Sequence, residues 1–254
     1  MLGTADLSRF NVLILPDSGA NYAAGINAAG IDNLKRWVAN GGTIIGIEGA
    51  LQFLTDARTG FLATTAEGKA QGVAEPVKGG VTASTPAAPA TPATGATGTP
   101  PAATAPAGTP PAGKLLATEA DYTKAVLPAS EQPDTVPGAI VRAKVDQEYW
   151  ATVGVPATVY AMYSGRGIYA PLATDKGVNA VLFEGPEQVL ASGYIWEENK
   201  KQLARKPLMM VATQGRGVVI GFTVDPDFRA YVDGLNVLFL NAVFRGPAHS
   251  RPAP

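Results

Sequence analysis

The sequence predicts an α/β fold in which a mostly parallel β-sheet is flanked by helices. Between Phe10 and Leu62, short apolar runs alternate with amphipathic helical segments, and this alternation is typical of parallel strands joined by crossover helices. In addition, 46% of the 254 residues are hydrophobic, which is enough for a buried core. We expect two parts of one domain, residues 1–81 and 114–246, separated by an insertion and followed by a tail at 247–254.

The first part begins with the run Phe10–Pro16, which is apolar apart from Asn11 and is closed by proline. Such a run predicts a parallel strand covered on both faces. An amphipathic helix with a glycine C-cap at Gly41 should follow. Its apolar positions recur at helical spacing: Ile31, Leu34, Trp37 and Val38. A second buried strand is predicted at Thr43–Ile47, and the apolar residues between Leu51 and Leu62 suggest another helix.

The insertion, residues 82–113, contains only Ala, Thr, Pro, Gly and Ser. It has no large apolar side chain to offset the entropy of ordering, so we predict that it is disordered. Its prolines favour extended conformers, which predicts a semi-stiff spacer or surface insertion. A recognition segment or a glycosylated stalk is the alternative.

The second part opens at Thr118, which can cap a short helix through Leu127. The segments Ala139–Val145 and Val178–Phe183 have the composition of strands. Glu187–Ala204 carries helical pieces that are interrupted by a glycine and end before a proline.

A hairpin is predicted from Leu208–Val211 and Val218–Phe222, since the turn-rich Gln214–Gly217 lies between them. We expect this hairpin to border the sheet. The last element is a strongly apolar helix that Gly246 and Pro247 should end. One broad face of it carries Leu235, Leu238, Phe239, Ala242 and Val243.

The charges and the missing cysteines exclude several functions. Twenty basic and 21 acidic side chains give a net charge of −1, so no electrostatic footprint for nucleic acid or anionic lipid exists. The chain has no cysteine, which removes thiolate nucleophiles, disulfides and cysteine metal sites. No segment approaches the roughly 18 apolar residues of a membrane span, so we expect a soluble chain.

The segments Asp6–Pro16 and Gly41–Ile45 resemble the class I glutamine amidotransferase-like (flavodoxin-like) domain that is appended to many bacterial zinc carboxypeptidases. Three later segments resemble the distal half of the same domain: Ser192–Asn199, Gly215–Ala230 and Leu235–Phe244. The resemblance therefore covers most of the chain outside the spacer.

The resemblance implies a parent protein exported to the periplasm or the cell exterior, with an upstream peptidase domain as the partner of this chain. A carboxypeptidase zinc site needs two histidines and a glutamate, whereas this chain has one histidine, His249. We therefore expect no metal and no cofactor here. The family fold also has strands and a helix before Asp6, so we expect either a fragment or a smaller sheet.

In catalytic members of this fold a cysteine lies on a sharp strand-to-helix turn. The matching turn here is Gly46–Ala50, which puts Glu48 at the nucleophile position. A carboxylate cannot perform the acyl transfer of a thiol, and this excludes glutaminase activity. Glu48 either borders a ligand crevice with Asp17 and Ser18, where it could bind a cation, an amine or a partner's arginine, or it is a charge that caps the next helix.

Asp225, Asp227 and Arg229 lie on the loop after a predicted strand, where they could contribute to the same crevice. The alternative is a structural turn, because Asp side chains satisfy nearby backbone amides.

Three functions remain open. The leading hypothesis is a non-catalytic accessory domain, binding or structural, of a zinc-carboxypeptidase-like protein. The second is a carboxylate-dependent hydrolase that uses Glu48 and Asp225, since paired carboxylates support acid/base hydrolysis. The third is a carbohydrate or cell-wall binding module in which Trp150 and Trp196 stack on sugars, although both tryptophans could simply pack.

Overall fold

A computed structural model describes residues 4–18, 22–70, 118, 132–230 and 234–250. The spacer 82–113, and the helix predicted from Thr118 through Leu127 apart from Thr118 itself, lie outside the described residues. The strands are β1 (Val12–Leu15), β2 (Thr43–Ile47), β3 (Val136–Val145), β4 (Thr158–Gly165), β5 (Val178–Phe183), β6 (Leu190–Gly193), β7 (Pro207–Gln214) and β8 (Gly217–Phe222). The helices are α1 (Tyr22–Gly25), α2 (Ala28–Ala39), α3 (Leu51–Thr55), α4 (Glu197–Leu203) and α5 (Leu235–His249).

The strands form one eight-stranded mixed sheet in the order β1-β2-β8-β7-β5-β3-β4, with β6 paired to β3. The α/β fold predicted from the sequence is therefore confirmed. The prediction of a mostly parallel sheet is wrong, because only β1–β2 and β2–β8 are parallel pairs. A parallel pair needs a crossover of a dozen or more residues, whereas β7 and β8 are joined by a tight turn in which Gln214 pairs with Gly217.

β2 is the buried centre of the parallel part, and all five of its residues are buried. Its side chains alternate between the two faces of the sheet. Ile44 packs with α2 and α3 on one face, while Ile45 packs with α5 on the other. β1 differs from its prediction because it lies at the edge of the sheet, where Ile14 stays 39% exposed.

The glycine C-cap of α2 is present as predicted. Gly41 has a φ of 113°, a left-handed conformation that favours glycine. The Gly41 amide donates to the Val38 carbonyl at 2.9 Å and the Gly42 amide to the Trp37 carbonyl at 3.0 Å, the pattern of a Schellman motif. This tight ending turns the chain directly into β2.

The segment Glu187–Ala204 is less helical than predicted. Only α4 (Glu197–Leu203) is a helix, and residues 190–193 form β6 against β3. The guanidinium of Arg142 on β3 donates to the carbonyls of Gln188 and Leu190 at 2.9 and 2.8 Å. Arg142 is distant in sequence from this segment, so the local sequence pattern could not predict these contacts.

The predicted hairpin is confirmed, but it lies inside the sheet and not at its border.

The last helix, α5, continues through Pro247 to His249, so the predicted stop at Gly246–Pro247 is wrong. A proline ring clashes with the Cβ of the preceding residue, and Gly246 has none. The helix ends when the Ser250 amide donates to the Gly246 carbonyl at 3.0 Å. Among the described residues, none of the helices is both long and apolar enough to cross a membrane.

Candidate ligand-binding site

The parallel strands β1, β2 and β8 bring their carboxyl ends to one edge of the sheet, the edge where α/β folds bind ligands. Asp17 follows β1, Glu48 comes directly after β2, and Thr223 comes directly after β8. An open pocket of about 210 Å³ lies at this edge. Its lining residues are Asp17, Glu48, Gly49, Gln52, Ser164, Arg166, Gly167, Tyr169 and Thr223.

Glu48 lies on a sharp turn between β2 and α3. It begins the 3₁₀ turn Glu48–Ala50 and has a φ of 45°, a left-handed conformation that is strained for a residue other than glycine. The turn also depends on Gly46, where a Cβ would lie 2.5 Å from the Leu54 Cδ1. The strained backbone points to a site that the surrounding structure holds in place.

The carboxyl group of Glu48 has two neighbours. Its Oε1 accepts a hydrogen bond from the Asp225 amide at 3.0 Å, and the Asp17 carboxyl group lies close enough to interact with it. Burial is the main cause that raises the pKa of Glu48 above its usual range, and the negative charges of Asp17 and Asp225 raise it further. The Asp225 amide opposes this shift.

Gly49 makes the approach of Asp17 possible. A Cβ at position 49 would lie 2.5 Å from the Asp17 Oδ1, far closer than atoms in contact. Only glycine at this position leaves room for the Asp17 carboxylate beside Glu48.

The opposite wall comes from β4 and the residues after it. Arg166 reaches across to Gln132, with its Nη1 donating to the Oε1 at 2.9 Å. Tyr169 is buried, which raises the pKa of its hydroxyl to about 12. The hydroxyl therefore keeps its proton at neutral pH. Ser164 on β4 and Gln52 on α3 also line the pocket, so its lining combines two carboxyl groups with other hydrogen-bonding side chains.

The structure brings only part of the predicted crevice together. Asp17 and Glu48 line the pocket, while Ser18 directly follows Asp17 and is absent from the lining residues. Asp225 contributes its amide to Glu48, and its own Oδ1 accepts from the Asp227 amide at 2.9 Å. This is the geometry of a structural turn.

Asp227 and Arg229 are exposed. The Arg229 guanidinium lies 5.5 Å from the ring centroid of Phe228. Neither residue lines the pocket beside Glu48.

Six lining residues were missed by the sequence analysis: Gln52, Ser164, Arg166, Gly167, Tyr169 and Thr223. A signal existed for Thr223, because it follows the predicted strand Val218–Phe222 just as Glu48 follows β2. For Ser164 and Arg166 there was no local signal, since β4 was not predicted.

Within the described ranges, no group of three or more His, Asp or Glu side chains could hold a metal ion.

The two tryptophans proposed for sugar stacking differ in their surroundings. Trp150 stacks on His249 with ring centroids 4.2 Å apart and packs against the core. Trp196 is 45% exposed and Tyr194 is 55% exposed. Their rings meet edge to face at 5.0 Å. Only the second tryptophan offers an accessible ring beside another accessible ring.

The chain matches no family model and no curated protein. Among solved structures, it is similar to a putative ThuA-like protein from Parabacteroides merdae ATCC 43184, with 12% identity and a TM-score of 0.53 over 98% of this chain and 75% of that one. This chain shares the fold of that ThuA-like protein. A cytoplasmic protein from Salmonella typhimurium, STM3548, matches at 12% identity and a TM-score of 0.47, over 95% of this chain and 76% of that one. Neither structure is named as a carboxypeptidase domain, and at these identities the likeness concerns the fold alone.

Proposed function

We propose that this chain is a non-catalytic ligand-binding domain of amidotransferase-like fold, and that the pocket beside Glu48 takes a small ligand with an ammonium or guanidinium group. The observation that carries the proposal is that the carboxyl groups of Glu48 and Asp17 line one open pocket and interact with each other. The shared fold with a ThuA-like protein supports the amidotransferase-like assignment.

The absence of catalysis is proposed from the residue at the turn. The chain has no cysteine, and the position of the nucleophile in this fold is held by Glu48. One Glu48 oxygen is engaged by the Asp225 amide, so the carboxyl group is fixed in place and is poorly suited to attack a substrate. A hydrolase that uses Glu48 with Asp225 has weaker support, because the Asp225 carboxylate is engaged by the Asp227 amide.

The class of ligand is proposed from the two carboxyl groups of the lining, Asp17 and Glu48; Arg166 also lines the pocket, and its guanidinium donates to Gln132. A cation placed between the carboxyl groups of Asp17 and Glu48 would favour the charged form of Glu48. An opposite charge within about 4–6 Å has this effect on a carboxyl group. An amine or guanidinium also supplies the hydrogen-bond donors that two carboxylates accept.

Calorimetry with agmatine tests the ligand class, because agmatine carries an ammonium and a guanidinium group but no carboxylate. We expect binding to the wild type and at least a tenfold loss of affinity in Glu48→Gln, with 1-butanol giving no heat. Asp32→Asn, an exposed carboxylate on α2, is the matched control and should bind as the wild type does. No heat with agmatine would contradict the ligand class. Turnover of peptide, ester or glutamine that Glu48→Ala abolishes would contradict the non-catalytic assignment.

The accessory role is proposed on the resemblance of the sequence alone. In this proposal the domain accompanies an upstream zinc-carboxypeptidase-like domain in an exported bacterial protein. The test is the DNA upstream of Met1: an in-frame coding sequence with a histidine-rich peptidase domain supports the role, and a stop codon in that position contradicts it.

Carbohydrate binding is the second candidate, and the exposed pair of Tyr194 and Trp196 favours it. Aromatic ring faces provide large apolar contact areas at low entropic cost. Calorimetry with oligosaccharides and peptidoglycan fragments should show heat that Trp196→Ala abolishes and that Trp150→Phe leaves unchanged. Absence of heat in the wild type would leave this function without support.

A further inference from the structure

The pocket beside Glu48 is lined by a guanidinium group as well as by carboxyl groups. Arg166 lines it together with Asp17 and Glu48. Within the described ranges, Arg166 forms no ion pair, and its guanidinium donates to the side-chain oxygen of Gln132. The charges that act on the Glu48 carboxyl group are those of Asp17 and Asp225. The pocket therefore contains groups of opposite charge that do not neutralise each other.

A second hydrogen-bond donor in the lining is Tyr169. This residue is 5% exposed and lines the same pocket as Arg166. Its hydroxyl makes no hydrogen bond in the described part of the chain, and burial is the only cause that raises its pKa to about 12. A buried hydroxyl without a partner is costly, so a ligand atom that accepts a hydrogen bond from Tyr169 would remove this cost.

The backbone at Tyr169 is fixed by a neighbouring segment of the chain. An antiparallel bridge pairs Tyr169 with Ala66, and the Ala170 amide donates to the Thr65 carbonyl at 3.0 Å. The position of Tyr169 therefore does not depend on a ligand. A donor that is already in place binds a ligand at a lower entropic cost than one that has to be ordered first.

We infer that the ligand of this pocket carries a carboxylate in addition to its cationic group, with a short carbon chain between the two. The cationic group interacts with Glu48 and Asp17, and the carboxylate accepts hydrogen bonds from Arg166 and Tyr169. The fork of a guanidinium group matches a planar carboxylate, to which it can donate two parallel hydrogen bonds. This ligand class rests on the proposed function and is a narrower form of it.

The spacing of the charges and the size of the pocket limit the ligand further. Because Arg166 is not paired with Glu48, the two charges of the ligand have to be further apart than in an α-amino acid, where both are attached to one carbon atom. The pocket volume of about 210 Å³ is below the roughly 300–1,000 Å³ of sites for drug-sized ligands. The ligand class is therefore an ω-amino or ω-guanidino carboxylate with few carbon atoms.

Calorimetry of the full chain with two matched compounds tests the inference. In 5-guanidinopentanoate a carboxylate replaces the ammonium group of agmatine, while the guanidinium group and the carbon chain are unchanged. We expect the wild type to bind 5-guanidinopentanoate at least about tenfold more tightly than agmatine. Arg166→Gln should abolish this preference, because the loss falls on 5-guanidinopentanoate alone. Tyr169→Phe should weaken 5-guanidinopentanoate severalfold and leave agmatine unchanged.

The matched control is Arg245→Gln, at an exposed arginine of α5 that does not line the pocket, and it should bind both compounds as the wild type does. Circular dichroism checks that each variant is folded. Agmatine binding that depends on Glu48, together with 5-guanidinopentanoate bound no more tightly than agmatine, would overturn the inference and leave the proposed function in place. An Arg166→Gln protein that keeps the wild-type preference would also overturn it. No heat with either compound would overturn both.

Discussion

Lys69 and Asp134 form an ion pair with 3.0 Å between the Nζ and the Oδ2, and this contact joins the two sides of the gap between residues 70 and 132. Both sides are also fastened to α4. The Gln202 side chain donates to the Gly68 carbonyl at 2.8 Å and accepts from the Ala70 amide at 3.0 Å. The Asn199 side chain donates to the Asp134 carbonyl at 2.6 Å. The two ends of this gap therefore lie close together.

This proximity predicts that the spacer is dispensable for folding. Replacing residues 82–113 with a short Gly/Ser linker should leave the Tm unchanged or raise it slightly, because a shorter loop costs less entropy to close. Thermal unfolding followed by circular dichroism measures the change. Loss of cooperative unfolding in the shortened chain would show that the removed residues contribute to the core.

The raised pKa of Glu48 predicts a pH-dependent stability. Glu48 binds its proton more tightly in the folded state than in the unfolded state, where its pKa is near 4.5. Its contribution is therefore favourable below about pH 4.5 and is lost as the pH rises through the raised folded value. In Glu48→Gln this side chain no longer titrates, so its contribution to stability does not fall as the pH rises. The glutamine keeps an oxygen that can accept the hydrogen bond from the Asp225 amide.

The measurement is urea unfolding of wild type and Glu48→Gln at about pH 4 and pH 7. The variant should gain stability relative to the wild type as the pH rises between these values. A difference in unfolding free energy that is the same at both values would contradict the raised pKa.

A substitution at Gly49 should change the position of the Asp17 carboxyl group without replacing Asp17 or Glu48. In Gly49→Ala the new Cβ must displace the Asp17 carboxylate, so agmatine binding should weaken by about tenfold or more. Gly167→Ala is the matched control, because Gly167 lines the same pocket and its nearest neighbour to a new Cβ is 3.9 Å away. Equal agmatine affinity in both variants, measured by calorimetry, would show that the position of Asp17 does not matter.

A single added methyl group at Gly217 should cause a large loss of stability. A Cβ there would lie 2.1 Å from the Val38 carbonyl oxygen and 2.4 Å from that of Gly42. Backbone atoms cannot move aside as a flexible side chain can, so Gly217→Ala should lower the free energy of unfolding by about 3 kcal/mol. Gly25→Ala, with nothing within 4 Å of the new atom, should change it by less than about 0.5 kcal/mol. Chemical unfolding of both variants checks the contrast.

The elements that the sequence predicted well are those encoded locally. The helix α2 has its apolar period and its glycine cap within a few residues, and β2 is a short apolar run between two turns. The turn at Glu48 was also local, since it directly follows β2. The direction of pairing of β3 with β4 and β5 depends on contacts between distant segments, which periodicity does not encode. The place of Arg166 in the pocket could not be predicted for the same reason. Arg166 directly follows β4, so its position depends on where β4 lies in the sheet.

Tyr163 predicts a gain in stability. Its side chain is 1% exposed, its ring meets Phe183 edge to face at 5.9 Å, and its hydroxyl has no hydrogen-bond partner in the described part of the chain. Burial raises the pKa of this hydroxyl, so it stays uncharged. Burying a hydroxyl without a partner costs about 1–3 kcal/mol, and Tyr163→Phe removes that cost while keeping the contact with Phe183.

We therefore expect guanidinium unfolding of Tyr163→Phe to show a stabilisation of about 1 kcal/mol. Tyr160→Phe is the control, because the Tyr160 side chain is 45% exposed. A loss of more than about 1 kcal/mol in Tyr163→Phe would show that the hydroxyl does have a hydrogen-bond partner.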